Sequence, residues 1–199
     1  MLMPDRGERG LAVGFLAGAA LDTHTRRPWL LPMIRAPGCG LTGVPAIFAD
    51  AARQEDTHSS QLELLRALAG TWTTEGTHPL LPAAVIHGRA TFEWLEGGRF
   101  LIWRSHYDHP EIPDAIAVTG VTDDNLLSMH YFDSRGVYRV YSVSMSPGTW
   151  RFSRDAPGFS QRFTGTFSNG GNTITGRGQL SHDGASWDDD LVLTYQKTQ

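Results

Sequence analysis

At 199 residues the chain has room for one well-buried domain and too little for two of ordinary size without a visible linker. Hydrophobic residues make up 40% and charged residues 19%, an ordinary globular composition that favours neither a disordered chain nor a coiled coil. The 17 Lys and Arg against 21 Asp and Glu leave a net charge of -4 with no basic stripe, so nucleic acid is not an expected partner.

Residues 1 to about 55 carry scattered Arg, Pro and Gly and hold no period of 3.6 or 2 long enough to define an element. They read as a disordered leader, followed by one domain over residues 56–199. Residues 11–21, preceded by Arg6 and Arg9, have the charge-then-apolar order of a secretory signal, but Gly14 and Gly18 dilute it and no small-x-small cleavage site stands out. No apolar run approaches the roughly 20 residues that span a bilayer, so no membrane span is expected. The single cysteine, Cys39, makes no internal disulfide. The location expected from these features is cytoplasmic, with secretion the alternative if residues 1–21 act as a signal.

Order begins at residues 59–69, where Leu62, Leu65 and Leu68 share one helical face, Ser59 or Ser60 is placed to cap the first amides, and Gly70 stops the helix. From Trp72 the period changes to two. About ten runs rich in Val, Ile, Thr, Tyr, Phe and Trp follow, separated by Gly, Asp, Asn and Pro clusters: 71–78, 85–96, 99–107, 114–121, 125–133, 136–145, 148–154, 159–168, 172–181 and 187–197. With no helix alternating between them, a parallel sheet is excluded. The expected fold is all-β, an antiparallel up-and-down barrel with one short N-terminal helix capping an end.

Two hairpins fix expected registers. Between residues 90–96 and 99–104, a two-residue Gly97-Gly98 loop supplies the positive φ of a primed turn and sets Glu96 against Arg99. Trp94 then meets Leu101 and Phe92 meets Trp103 on a core face, while Glu93 and Arg104 point outward. In the second hairpin, Asp133-Ser134-Arg135-Gly136 forms the turn and Phe132 faces Val137. His130 then faces Arg139 and Ser128 faces Tyr141, a polar cluster that is either a solvated wall or the lining of a cavity. The opposite face pairs Tyr131 with Tyr138 and Met129 with Val140.

Gly70-Thr71-Trp72 resembles the Gly-x-Trp opening of lipocalin-like (calycin) barrels, in which a basic residue near the end of the chain, here Lys197, lies over the Trp. The strings 93–101, 132–137 and Ser181-His182-Asp183-Gly184 to Trp187 resemble an uncharacterised bacterial family of such domains, related in shape to nitrobindin and fatty-acid-binding proteins. The resemblance covers roughly residues 60–198 and rests on turns and core aromatics. Nitrobindin-like barrels would imply a haem held by a histidine near the last strand, but residues 187–195 contain none. No cofactor is therefore expected, and His130 or His106 would ligate haem only through a different geometry.

Arg139 and Tyr141 lie two apart on one strand and so on one side of it, where a guanidinium and a phenol can grip a ligand carboxylate together. The alternative is an exposed strand face, where most Arg is found. Fatty-acid-binding proteins place a similar Arg-x-Tyr on their final strand, unlike this chain. Beside Arg139, His130 would stay neutral and available as a base. His182 and Asp183 with Asp188, Asp189 and Asp190 gather oxygen ligands but lack the alternating order of a calcium loop, and the histidines at 78, 87, 106 and 109 are spread over separate runs, so no metal is expected.

Phosphate loop, nucleophile elbow and zinc-protease motifs are absent, and the folded region has no cysteine nucleophile. The function expected is binding of a small hydrophobic or amphipathic molecule, an anionic one included, in a barrel cavity lined by Arg139, Tyr141, His130, Ser128, Trp103 and Trp94. One alternative is a filled barrel that serves as a protein-interaction or structural module. The other is an enzyme in which His130 acts as the base in the same cavity.

Overall fold

The structure, a computed structural model, describes residues 60–198. The expected leader, its signal-like run, Cys39 and the Ser59 cap lie outside the described residues. Residues 60–65 form helix α1. Ten strands follow: β1 (Gly70–Thr77), β2 (Ile86–Trp94), β3 (Phe100–Tyr107), β4 (Ala115–Val121), β5 (Leu127–Asp133), β6 (Tyr138–Ser146), β7 (Thr149–Arg154), β8 (Ser160–Ser168), β9 (Thr173–Ser181) and β10 (Asp188–Lys197). Each pairs antiparallel with the next, and β10 returns to β1 to close the barrel. Every run expected from period-two patterning becomes a strand, and closure leaves no edge unpaired. Among the described residues no helix is long and apolar enough to cross a membrane.

The helix is shorter than its sequence pattern suggests. After residue 65 the chain tightens, and amides bond three residues back, from Arg66 N–H to Glu63 O (3.1 Å) through Ala69 N–H to Arg66 O (3.1 Å). This winding still buries Leu65 and Leu68 against the barrel end, and the Trp72 indole N–H donates to Leu68 O at 2.8 Å. Trp72 is itself fully buried, and Lys197 Nζ lies 5.1 Å from its ring centre, the contact that the Gly-x-Trp resemblance implies. Gly70, at φ +123°, turns the chain from the helical segment into β1.

The first hairpin holds its expected register, with Trp94 opposite Leu101 and Phe92 opposite Trp103. Phe92 and Leu101 are buried, Trp94 and Trp103 half-buried, and Glu93 and Arg104 form an exposed ion pair at 3.0 Å. Its loop differs from expectation. Leu95 N–H bonds Phe100 O and Gly98 N–H bonds Leu95 O, so the turn runs through four residues and Glu96 has no ladder partner in Arg99.

The second hairpin departs by one residue. Asp133 closes on Val137 across a three-residue loop, with Gly136 in the left-handed region at φ +82°. Phe132 therefore faces Tyr138, Tyr131 faces Arg139, His130 faces Val140, Met129 faces Tyr141 and Ser128 faces Ser142. Asp133 supplies the reason: its carboxylate accepts from the Arg135 and Val137 amides (3.0 and 3.3 Å) and from the Arg135 guanidinium (2.7 Å), which selects the tighter turn. Burial opposes the charge on Asp133, but the bonds from Arg135 outweigh it and hold the carboxyl below its usual range. Asp133→Ala is expected to cost about 1–2 kcal/mol, measured from the urea midpoint at unchanged slope.

Candidate ligand-binding site

The one-residue shift decides which side chains face inward, because strand side chains alternate. Arg139 and Tyr141 do share a side, as expected, and it is the inner one: they are only 8% and 5% exposed. His130 and Ser128 are turned the other way. His130 stands exposed on the outer wall, stacked on Tyr138 with its Nδ1 3.1 Å from the Tyr138 hydroxyl, beside the exposed Phe132 and Val140. The expected cluster of four polar groups therefore does not assemble. The acid–base reading built on His130 as a cavity base falls with it.

The barrel interior has two unlike halves. At the α1 end the core is packed solid: Leu65, Leu68, Trp72 and Ile174 are buried there. Trp94 belongs to this end, under the Arg66 guanidinium at 5.7 Å, away from the cavity that Trp103 lines. At the opposite end, among residues late in β3 and β5 and early in β8 and β10, lies a cavity of about 150 Å³. Its floor is aromatic. Trp103 and Phe152 are 6.3 Å apart, and Phe152 stacks on Phe163 at 4.7 Å. Phe163 can lie flat because Gly176 is under it: a Cβ there would come within 2.5 Å of the ring.

Four phenols complete the wall: Tyr107, Tyr131, Tyr141 and Tyr195. Tyr107 is hydrogen-bonded to Tyr195 and to Ser105, and burial pushes its hydroxyl up to about 12. Burial first, then the neighbouring Tyr107, raises Tyr195 further. Tyr131 is raised by burial and by the Asp133 charge, and Tyr141 is raised by burial against the opposing pull of Arg139. All four are neutral O–H groups near neutral pH, in surroundings that resist charge.

The polar groups of the mouth are organised by two devices that the sequence pattern does not reveal. In β8, Gln161 Oε1 accepts from the Arg139 guanidinium and, at 2.7 Å, from the Tyr141 hydroxyl, while Arg139 also lies 4.6 Å from the Phe159 ring centre. In β10, Asp190 and Leu191 together oppose Gly178, a bulge that turns Asp190 toward the cavity. The buried His78 holds it there. Leu80 N–H donates to His78 Nδ1 at 3.1 Å, so the ring proton sits on Nε2 and faces Asp190 Oδ1 at 2.9 Å.

Several other acidic and histidine residues are engaged locally. Asp183 accepts from the Ala185 and Ser186 amides and the Ser181 hydroxyl, Asp189 pairs with Arg177, and His106 pairs with Asp114 at 2.7 Å.

No family model matches this chain, and no curated protein matches it. Solved structures do. Rv2717c from M. tuberculosis superposes with a TM-score of 0.53 at 13% identity, covering 70% of this chain and 98% of that one. The likeness is one of fold alone. A redesigned β-barrel (TM-score 0.34, 14% identity, 70% of this chain and 96% of that one) and a protein of unknown function from the DUF3598 family of Nostoc punctiforme (0.23, 7%, 69% and 99%) are more distant.

Proposed function

We propose that the barrel binds a compact, largely apolar small molecule in the cavity opposite α1. One observation carries this reading: about 150 Å³ of space is left open inside an otherwise packed barrel, floored by Trp103, Phe152 and Phe163 and ringed by neutral phenols. Cavities of about this volume with apolar walls admit a single six-membered ring. A filled barrel would have used a larger side chain where Ser105 now stands, since interiors are otherwise close-packed.

The Gly70-x-Trp72 opening with Lys197 over the ring supports a place among lipocalin-like barrels, for which ligand carriage is the common use. The lining suits haem poorly. It contains no histidine, and room for one ring is far short of a tetrapyrrole.

The test is native mass spectrometry, with an absorption spectrum, on protein purified from its own host. A retained organic mass without a Soret band is the expected result. Leu191→Trp, which fills the cavity from its wall, should lose that mass and cost about 1–3 kcal/mol from overpacking. Equal retention by this variant, with the barrel intact by circular dichroism, would move the ligand elsewhere.

A further inference from the structure

We infer that the cavity selects an uncharged aromatic ligand carrying one hydrogen-bond acceptor, such as a ketone carbonyl, and that the Gln161 amide nitrogen is the group that reads it. This inference rests on the cavity being the binding site.

The orientation of Gln161 is forced by its neighbours. Arginine has donors and no acceptor, so only the carbonyl end of the amide can face Arg139. Tyr141 donates to the same oxygen, which uses both of its lone pairs. The Nε2 end is therefore directed away from both. Among the described residues it has no partner, and it is not one of the buried polar atoms sealed from access. Gln161 lines the cavity, so this NH2 is a preoriented donor at its wall.

The remaining polar groups of the lining are engaged elsewhere. Tyr107 bonds Tyr195 and Ser105, the Tyr131 hydroxyl donates to Asp133 at 3.3 Å, Asp190 faces His78, the exposed Arg162 donates to Gln179 Oε1 at 2.8 Å, and Gln179 Nε2 donates to Asp189 at 3.3 Å. The Trp103 indole N–H has no partner either, but packing closes it off. A ligand with an acceptor thus meets one donor, while a ligand without one leaves that donor dry and unpaired. Charge is selected against. An anion would give up its hydration to enter a wall of aromatic rings, and the guanidinium groups near it are committed: Arg139 is turned to Gln161 and Phe159, and Arg162, which is in the lining, to Gln179 Oε1 (2.8 Å) and the Trp187 ring (4.1 Å). Arg139 and Tyr141 are positioning residues here, acting through the amide.

Acetophenone, ethylbenzene and benzoate separate these terms at nearly constant size, and calorimetric titration reads each affinity. Acetophenone is expected to bind about tenfold more tightly than ethylbenzene, the margin of one well-placed hydrogen bond, with benzoate weakest. Gln161→Glu keeps an acceptor for Arg139 and Tyr141 but removes the donor, so it should fold normally and reduce the preference to near unity. Gln161→Leu should do the same at some cost in stability. Binding of both neutral probes with equal affinity, an unchanged ratio in Gln161→Glu, or benzoate binding best would overturn the inference and leave the binding site standing. Failure of all three probes to bind would overturn the site and the inference together.

Discussion

Raising the pH is expected to leave four of the chain's five tyrosines un-ionised until the barrel opens, and then to ionise them in a single step. An unfolded chain loses phenolic protons near pH 10, whereas the folded barrel holds Tyr107 protonated up to about 12 and raises Tyr131, Tyr141 and Tyr195 as well. A phenol raised on folding contributes stability that is complete below the unfolded value and is lost as the pH climbs from there toward the folded one. Tyr107 alone removes about 3 kcal/mol between pH 10 and 12, a large share of the 5–15 kcal/mol typical of a domain. Phenolate absorbance and tryptophan fluorescence should therefore change at the same pH. A rise of absorbance worth more than the one exposed tyrosine, Tyr138, centred near pH 10 and ahead of any change in fluorescence, would mean that the buried phenols are reached by water and that the cavity wall is not dry.

The fold was legible because period-two patterning and turn residues are local signals. Each of the ten strands could be bounded to within a few residues, and the Phe92–Trp103 and Trp94–Leu101 pairs followed from one short loop even though that loop proved longer than two residues. The site was less legible because it depends on single-residue offsets. One residue fewer in the Asp133–Val137 turn carries His130 from the lining to the outer wall, and the carboxylate that enforces the shorter loop looks like any other turn aspartate in the sequence. The Asp190 bulge is of the same kind, since strict alternation does not predict that the neighbours Asp190 and Leu191 both reach the cavity. Gln161 carries a signal in its spacing. It alternates with Phe163 and Gly165 on the inner face of β8, and a polar residue in that series needs buried partners. Those partners, Arg139 and Tyr141, sit 22 and 20 residues away, and only a register for β6 through β8 brings them together.

Trp150→Ala should produce the largest loss of stability of any single substitution in the barrel, about 3–5 kcal/mol. Its ring is 2% exposed and is the hub of the aromatic cluster, with centroids 5.1 Å from Phe163, 5.4 Å from Phe152, 5.5 Å from Trp103 and 5.7 Å from Phe92. Most of these contacts are edge-to-face or tilted, so removing the indole deletes several favourable ring interactions besides its buried area. Three of those four neighbours also floor the cavity, so the space left by the indole opens into the existing one. The substitution should therefore have a second consequence, opposite in sign: a two-ring ketone excluded by the native cavity should gain affinity in the variant while acetophenone loses some. Urea unfolding and calorimetry on the same samples separate the two effects. A loss below about 1 kcal/mol would show that the cluster relaxes around the vacancy. In that case the two-ring ligand should gain nothing, because the collapse that spares stability also consumes the added volume.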